Sequence, residues 1–408
     1  MLFIRSNRAI LWSVLLGSLA LKVIVILING HHYMLDSDDM SYLTTAKIWL
    51  DTGEFTYNDP ERPTVFITPA FPGLIAILMK WIGEGYALEQ TIRIIQTIMI
   101  TFSLYLLYLI GKRVWNERVA LWAVGISAFY LPLWLVSNFI LTEALFILAL
   151  MLLVYCALRA KEQPTLSWAI AFGLAWGFAT YVRPTIALWP GIFLLLLLIW
   201  RQIPWRKVML CGIVAAVVFV ACLVPWWVRN YQVSDGQFIP LTKSSGNPLL
   251  LGTFSYGLPS LKEQQTWHAT NNLWENDEFD RKWAIERIKT GFTEAPLHYL
   301  SWYTVGKFGM FWGDVYYWRT IPGIPLMIPI MMHYMILGFG VTGIWLSRRN
   351  RDGMLIVSIL SYFTILHMIY LAHSRYAVVL MPLLALFAAA AITQLIQKLK
   401  YSNNQATF

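Results

Sequence analysis

What most constrains this chain is a series of apolar runs, repeated from one end to the other, each about as long as a bilayer is thick. A helix needs about 20 mostly apolar residues to cross the roughly 30 Å hydrocarbon core. Runs at 9–28, 88–110, 119–137, 139–158, 166–182, 184–200, 207–227, 323–346, 354–372 and 376–397 approach or reach that length. Between most of them too few residues remain for a soluble domain of ordinary size. The runs are continuous rather than alternating, and only helices and closed barrels satisfy every backbone hydrogen bond in lipid, so they read as helices. The sequence predicts an all-α polytopic membrane protein, one domain over residues 1–408 with roughly ten transmembrane helices. With 58% hydrophobic and 13% charged residues, the chain lies far from the composition of soluble domains, about a quarter charged.

Short cytoplasmic loops carry the excess of Lys and Arg. One alternating set of connections holds Arg5, Arg8, Lys112, Arg113, Arg118, Arg159, Lys161, Arg201, Arg206, Lys207, Arg348, Arg349, Arg351, Lys398 and Lys400, against only Glu117, Glu162 and Asp352. That set marks the cytoplasmic side and places both termini there. The net charge of +9 is then mostly this bias, so it calls for no nucleic-acid partner. The first run meets "NGHHYMLD" rather than a small-residue cleavage site, so it reads as a retained anchor and not a signal peptide. Cys156, Cys211 and Cys222 all fall inside apolar runs, as buried free thiols do, and form no disulfide or metal pattern.

Two connections on the other side are long, about 29–87 and 228–322, and long ordered connections are commonly functional. The first opens with "MLDSDDMSYLTTAKIW", which gathers Asp36, Asp38 and Asp39 just beyond the first span. Spacings of three and four residues relate the acids to Tyr42 and Ala46, so a short helix beginning at the acids would place them on adjoining faces near the membrane plane. The plainer reading is helix capping by Asp36, Ser37 and Asp38. A divalent cation at Asp36, Asp38 and Asp39 is a third, but the regular ligand spacing of a calcium loop is absent. The first connection also carries "TPAFPGLIAILMKWIGEG", too short to cross. The second carries the turn-rich "PLTKSSGNPLLLGTFSYG", the helix-compatible "NDEFDRKWAIERIKTGF" and the aromatic "YLSWYTVGKFGMFWGDVYYW", the last suited to the membrane surface.

Arg183, Arg229 and Arg375 all fall at the outer ends of spans, where three helices would bring guanidinium groups to one level. The plainer reading is snorkelling to the headgroups. Lys307 is a further cation, equally readable as an interfacial anchor. Glu143, in "NFILTEALFILAL", lies within or at the edge of a span, where a charge is costly unless it meets water or a partner. It is expected to order the site or pair with one of the arginines. A solvated acid favoured by the helix dipole is the alternative. No His-Glu-X-X-His or Cys-X-X-Cys spacing supports zinc, and no GxxxxGK[ST] loop supports a nucleotide.

These segments, in order, resemble the GT-C superfamily of membrane glycosyltransferases, in particular the group with protein O-mannosyltransferases and the lipid A aminoarabinose transferase. "DDMSYLTTA" is similar to the family's acidic pair followed by Tyr and Ala at intervals of four. "RPTVFITPAFPGLIAIL", "LTEALF", "GLAWGFATYVRPT", "VPWWVRNYQV", "PLTKSSGNPLLLGT" and "SRYAVVLMPLL" continue the series across nearly the whole chain. Each motif alone is weak, but their shared order and sidedness make the set fairly specific. The resemblance implies transfer of a sugar from a polyprenyl-phosphate carrier, such as undecaprenyl phosphate, to an acceptor hydroxyl on the outer, periplasmic face of a bacterial inner membrane, with inversion. It makes Asp38 the general base and Asp39 a partner in catalysis or substrate binding; Asp36 has no counterpart. Tyr42, Glu143, Arg183, Arg229, Lys307 and Arg375 are the candidate substrate-binding residues, with Arg229 and Arg375 on the carrier phosphate. No cofactor and no metal are expected. The acceptor, whether lipid, glycan or protein, is not readable.

Competing classes make different demands. A glycan ligase or polymerase using polyprenyl-diphosphate oligosaccharide shares this layout and differs in donor chemistry. A flippase or other transporter calls for ionisable groups and broken helices at the midplane and for paired halves, whereas here the ionisable residues gather at the outer face. A non-catalytic scaffold leaves the ordered motif series unexplained.

Overall fold

The computed structural model describes residues 2–58, 62–260, 266–267 and 272–406. Among them every regular element is helical and no β-strand occurs. The helices, in chain order, are α1 Leu2–Asn29, α2 Asp38–Thr52, α3 Ala70–Ile82, α4 Tyr86–Val114, α5 Glu117–Phe129, α6 Leu131–Asn138, α7 Glu143–Glu162, α8 Leu166–Val182, α9 Trp189–Trp200 and α10 Trp205–Val233. They continue with α11 Gly246–Leu251, α12 Leu273–Glu294, α13 Pro296–Ser301, α14 Lys307–Gly313, α15 Met327–Leu346, α16 Arg351–Ile369, α17 Ser374–Ala377 and α18 Met381–Ala406.

The apolar runs predict roughly ten spans, and a helix stands at each of them. Seven of the described helices are long and apolar enough to cross a bilayer, or eight if α5 and α6 form one bent span. The difference has local causes. Pro184 disfavours the helical region for the residue before it, and Arg183 is extended at φ −144°, ψ 117°. The predicted spans 166–182 and 184–200 are therefore short apolar helices; 17 residues of α8 reach only about 25 Å. The predicted span 119–137 is broken at Tyr130, with a 59° bend between α5 and α6. Pro132, in the first turn of α6, lacks the N–H that would have continued the ladder.

The break is repaired by side chains. The Ala128 carbonyl accepts from Trp134 Nε1 at 2.9 Å and from Ser18 Oγ of α1 at 2.9 Å. The Tyr130 hydroxyl lies 2.6 Å from His333 Nδ1, and His333 Nε2 lies 2.7 Å from the Trp312 carbonyl. A carbonyl only accepts, so Nε2 carries the proton and Tyr130 donates to Nδ1. In lipid such satisfaction is obligatory.

The centre of the bundle is α18, whose apolar stretch is 78% buried inside the protein, and α7, 67% buried. The Ala-rich run of α18 lets neighbours come close. At Gly343 of α15 an added Cβ would lie 1.9 Å from the Phe387 carbonyl oxygen, so α15 packs on α18 through that glycine. The outer helices show lipid-facing side chains such as Leu27, Val217 and Met331. The two long connections hold α2 and α3 in the first, and α11 to α14 in the second.

Candidate active site

The site begins where α1 ends. A short 3-10 turn at Gly30–Tyr33 leads to Asp36, whose φ of 54° is left-handed. Asp39 fixes this loop: its carboxylate accepts the Leu35 N–H at 2.6 Å and the Ser37 N–H at 2.8 Å, and the residue is fully buried. Ser37 occupies the N-cap without a side-chain cap bond. Asp39 thus satisfies loop amides, and Asp38, the first residue of α2, is left to point elsewhere.

Asp38 meets Arg375, whose Nη1 donates to Asp38 Oδ2 at 2.5 Å. Arg375 lies in the first turn of α17 and also donates through Nε to Glu143 Oε1. Glu143 is the first residue of α7 and its side chain is 1% exposed, against 43% for Asp38. The same Glu143 oxygen accepts from Arg183 Nη2 at 2.5 Å, and Arg183 holds the Thr142 hydroxyl through Nε and Nη2 at 3.0 and 2.8 Å. Among the described residues Glu143 Oε2 is buried without a hydrogen-bond partner. The result is a chain of charges: Arg183, Glu143, Arg375 and then Asp38 at the wet end. Sequence separations of up to 337 residues close on a few ångströms because three span ends converge.

Around this chain lie groups of mixed character. Tyr42, one turn beyond Asp38, packs edge to face on Phe71 at 5.2 Å. Burial pushes its hydroxyl pKa up, with Arg375 opposing and Asp38 adding to the shift. Asp314 accepts the Ser374 hydroxyl at 2.5 Å, beside Arg375 in sequence. His373 caps α17 by accepting the Arg375 N–H at 3.2 Å, and burial lowers its pKa.

Arg229 and Lys307 are not brought to this cluster. Arg229 donates to the Thr64 carbonyl at 2.6 Å and to the Phe55 carbonyl, and faces the Phe55 and Trp226 rings at 5.5 and 5.1 Å. It ties the first long connection to α10. Lys307 donates to the Ile369 and Tyr370 carbonyls at 3.1 and 2.8 Å and sits 3.9 Å from the Tyr303 ring centroid. It thus closes the end of α16, and burial pulls its pKa down to about 7. Among the described residues no group of three His, Cys, Asp or Glu is arranged to hold a metal ion. At the acidic loop, Asp39 is occupied by backbone N–H groups and Asp38 by Arg375.

Three residues escaped the reading of the sequence. Asp314 was the lone acid of an aromatic stretch, a signal that was available. Arg93 and Lys22 sit inside apolar runs and are fully buried. Arg93 donates to the Asn138 carbonyl at 2.9 Å and to Gln90 Oε1 at 3.1 Å, and Lys22 to Ser18 Oγ at 3.0 Å. A charge in mid-span was itself the clue.

Comparison with known proteins bears on this geometry. Residues 65–228 match the family model described as dolichyl-phosphate-mannose-protein mannosyltransferase. That stretch runs from before α3 into α10 and includes Glu143 and Arg183. The structure superposes on the archaeal oligosaccharyltransferase AglB of Archaeoglobus fulgidus, determined with an inhibitory peptide and a dolichol-phosphate, with a TM-score of 0.57. The two are 13% identical over 98% of this chain and 52% of that one. It also superposes on ArnT of Cupriavidus metallidurans bound to undecaprenyl phosphate, with a TM-score of 0.52 and 16% identity over 93% of this chain and 60% of that one. The chain shares the fold of the membrane-embedded parts of these two proteins that it covers. The chain spans about half the length of the oligosaccharyltransferase and under two thirds of ArnT. No curated protein sequence matches it.

Proposed function

We propose that the chain is a membrane glycosyltransferase that moves a sugar from a polyprenyl-phosphate carrier to an acceptor hydroxyl on the outer face of a bacterial inner membrane. The observation that carries this reading is the pairing of the half-exposed Asp38 with the buried Arg183–Glu143–Arg375 cluster at the end of the bundle away from the basic loops. The fold shared with proteins that hold dolichol-phosphate and undecaprenyl phosphate supports it.

The chemistry follows from the positions of the charges. The acceptor oxygen forms a bond to the anomeric carbon as that carbon's bond to the phosphate oxygen breaks, which inverts the centre. The acceptor's proton passes to Asp38. The electron pair released goes to the carrier phosphate, and Arg375 donates hydrogen bonds to the developing charge. Glu143 holds Arg375 and Arg183 in place and acts as a positioning residue. A lipid-anchored donor arriving from within the bilayer suits cations at span ends.

The test is to purify the protein with native lipid and identify co-purified polyprenyl species by mass spectrometry, then assay Asp38→Asn for transfer. A monosaccharide on a polyprenyl monophosphate, with transfer lost in the variant, is expected. An oligosaccharide on a diphosphate carrier points instead to a glycan ligase. Near-normal transfer by Asp38→Asn removes Asp38 as the base.

A further inference from the structure

At the opposite, basic end of the bundle, α1 and α4 part to leave a groove of about 620 Å³ whose lining includes Arg8, Trp12, Tyr105, Tyr108, Lys112 and Arg113. Its walls are aromatic. Trp12 stacks on Tyr105 at 5.7 Å between centroids, and Lys112 lies 5.8 Å from the Tyr108 ring. Its rim is cationic and incompletely neutralised. Lys112 lies 3.7 Å from Glu117, which also accepts the Tyr108 hydroxyl at 2.6 Å. Arg113 pairs with Glu162 at 2.7 Å, but that carboxylate is shared with Arg159 at 3.2 Å. Arg8 has no carboxylate partner among the described residues. Three cations thus share two acids, and Arg8 is a fourth cation beside them.

Ordinary snorkelling would leave these side chains spread over the headgroups, each separately hydrated. Here they converge on one concavity between two spans, with amphipathic rings at the level where such rings meet headgroups. We propose that this groove binds one anionic phospholipid of the bilayer, its phosphate held between Arg8 and Lys112 and its acyl chains lying along the exposed apolar surface of α1. Trp12 is 49% exposed and Leu16 56%, so lipid chains have a track leading away from the groove. Basic pockets between spans are a recurrent form of headgroup site. The excess positive charge selects an anionic over a zwitterionic headgroup, and the apolar track selects a lipid over a free anion.

The full chain is reconstituted in phosphatidylcholine with a minor fraction of phosphatidylglycerol, extracted in mild detergent, and its retained lipids are counted by native mass spectrometry. One phosphatidylglycerol is expected on the wild type. Loss of two charged contacts in Arg8→Gln/Lys112→Gln is expected to cut that occupancy at least about tenfold, while Arg8→Lys/Lys112→Arg retains it. Arg206→Gln/Arg348→Gln removes equal charge from the same end outside the groove and is expected to leave occupancy unchanged. Equal loss in that control, wild-type occupancy in Arg8→Gln/Lys112→Gln, equal retention of phosphatidylcholine, or displacement by inorganic phosphate each overturns the assignment.

Discussion

Asp38 and Glu143 are both carboxylates on the same arginine, and their removal should have opposite consequences because one is wet and the other dry. The Glu143 side chain is 1% exposed and accepts from two guanidinium groups. Glu143→Gln keeps the shape but leaves Arg183 and Arg375 without their shared counter-charge. Breaking a buried pair from one side costs about 3–5 kcal/mol, most of it from the uncompensated partner. The Asp38 side chain is 43% exposed and, among the described residues, accepts from Arg375 alone. Water screens that pair, so Asp38→Asn should cost about 1 kcal/mol or less. Reversible unfolding in mixed micelles, followed by circular dichroism, should therefore separate the two variants by about 2–4 kcal/mol, the difference between those costs. Transfer assays should rank them differently: Asp38→Asn, close to wild type in stability, loses on the order of a hundred- to ten-thousand-fold in rate. If Asp38→Asn is as destabilising as Glu143→Gln, or Glu143→Gln unfolds within about 1 kcal/mol of wild type, the division into a reactive and a positioning carboxylate is wrong.

Other consequences can be checked separately. Burial holds the Lys307 pKa at about 7, below its ordinary 10.5; the unfolded chain then binds more protons between those values, so stability should rise with pH from about 7 towards 10.5. Lys307→Met should flatten that rise, and an unchanged slope in denaturation midpoints would exclude Lys307 as its source. Arg229→Gln should loosen the first outer connection, seen as faster hydrogen exchange around residues 55–65, while leaving donor affinity nearly unchanged; Arg375→Gln should weaken donor binding. An impermeant thiol reagent applied from outside should label a cysteine replacing Ser37 but not one replacing Arg349, both exposed positions; the reverse pattern would invert the proposed orientation. Asp38→Asn should bind a polyprenyl-phosphate donor at least as well as the wild type, measured by lipid titration, because the variant no longer competes for Arg375 with a charge.

The parts legible in the sequence were those set by local chemistry. Apolar length announced helices, and the positions of Arg183, Glu143 and Arg375 at the edges of apolar runs marked where charge had been tolerated. The helix beginning at the acids was legible from spacing, and α2 indeed starts at Asp38. What could not be read was which charges meet. Arg183, Arg229 and Arg375 are equivalent by position, yet only two share Glu143, because the third is captured by carbonyls at residues 55 and 64 that lie far off in sequence. Asp38 and Asp39 are likewise adjacent and chemically identical. Their divergence depends on the left-handed turn at Asp36, which presents two N–H groups to Asp39. Continuity of apolar residues also concealed changes in backbone direction, at Tyr130 and at Arg183.

The arrangement also suggests why the chain of charges ends where it does. Arg375 offers Nε to Glu143 and Nη1 to Asp38. A guanidinium carries five N–H donors, so a phosphate can meet Arg375 through Nη2 or displace one of these two bonds. Taking it from Glu143 would leave a buried carboxylate short of a partner, a cost of several kcal/mol. Taking it from Asp38 leaves a carboxylate that water can still reach, at a cost nearer to 1 kcal/mol. A donor that displaces one of these bonds is therefore expected to displace the one to Asp38 and leave the buried cluster intact. The carboxylate freed in this way stands beside the bound phosphate, unpaired and able to accept a proton. A donor bound in that way would turn the ion-paired Asp38 into a working base only when there is a sugar to transfer, and the dry Glu143 is what makes Asp38 the ligand that yields.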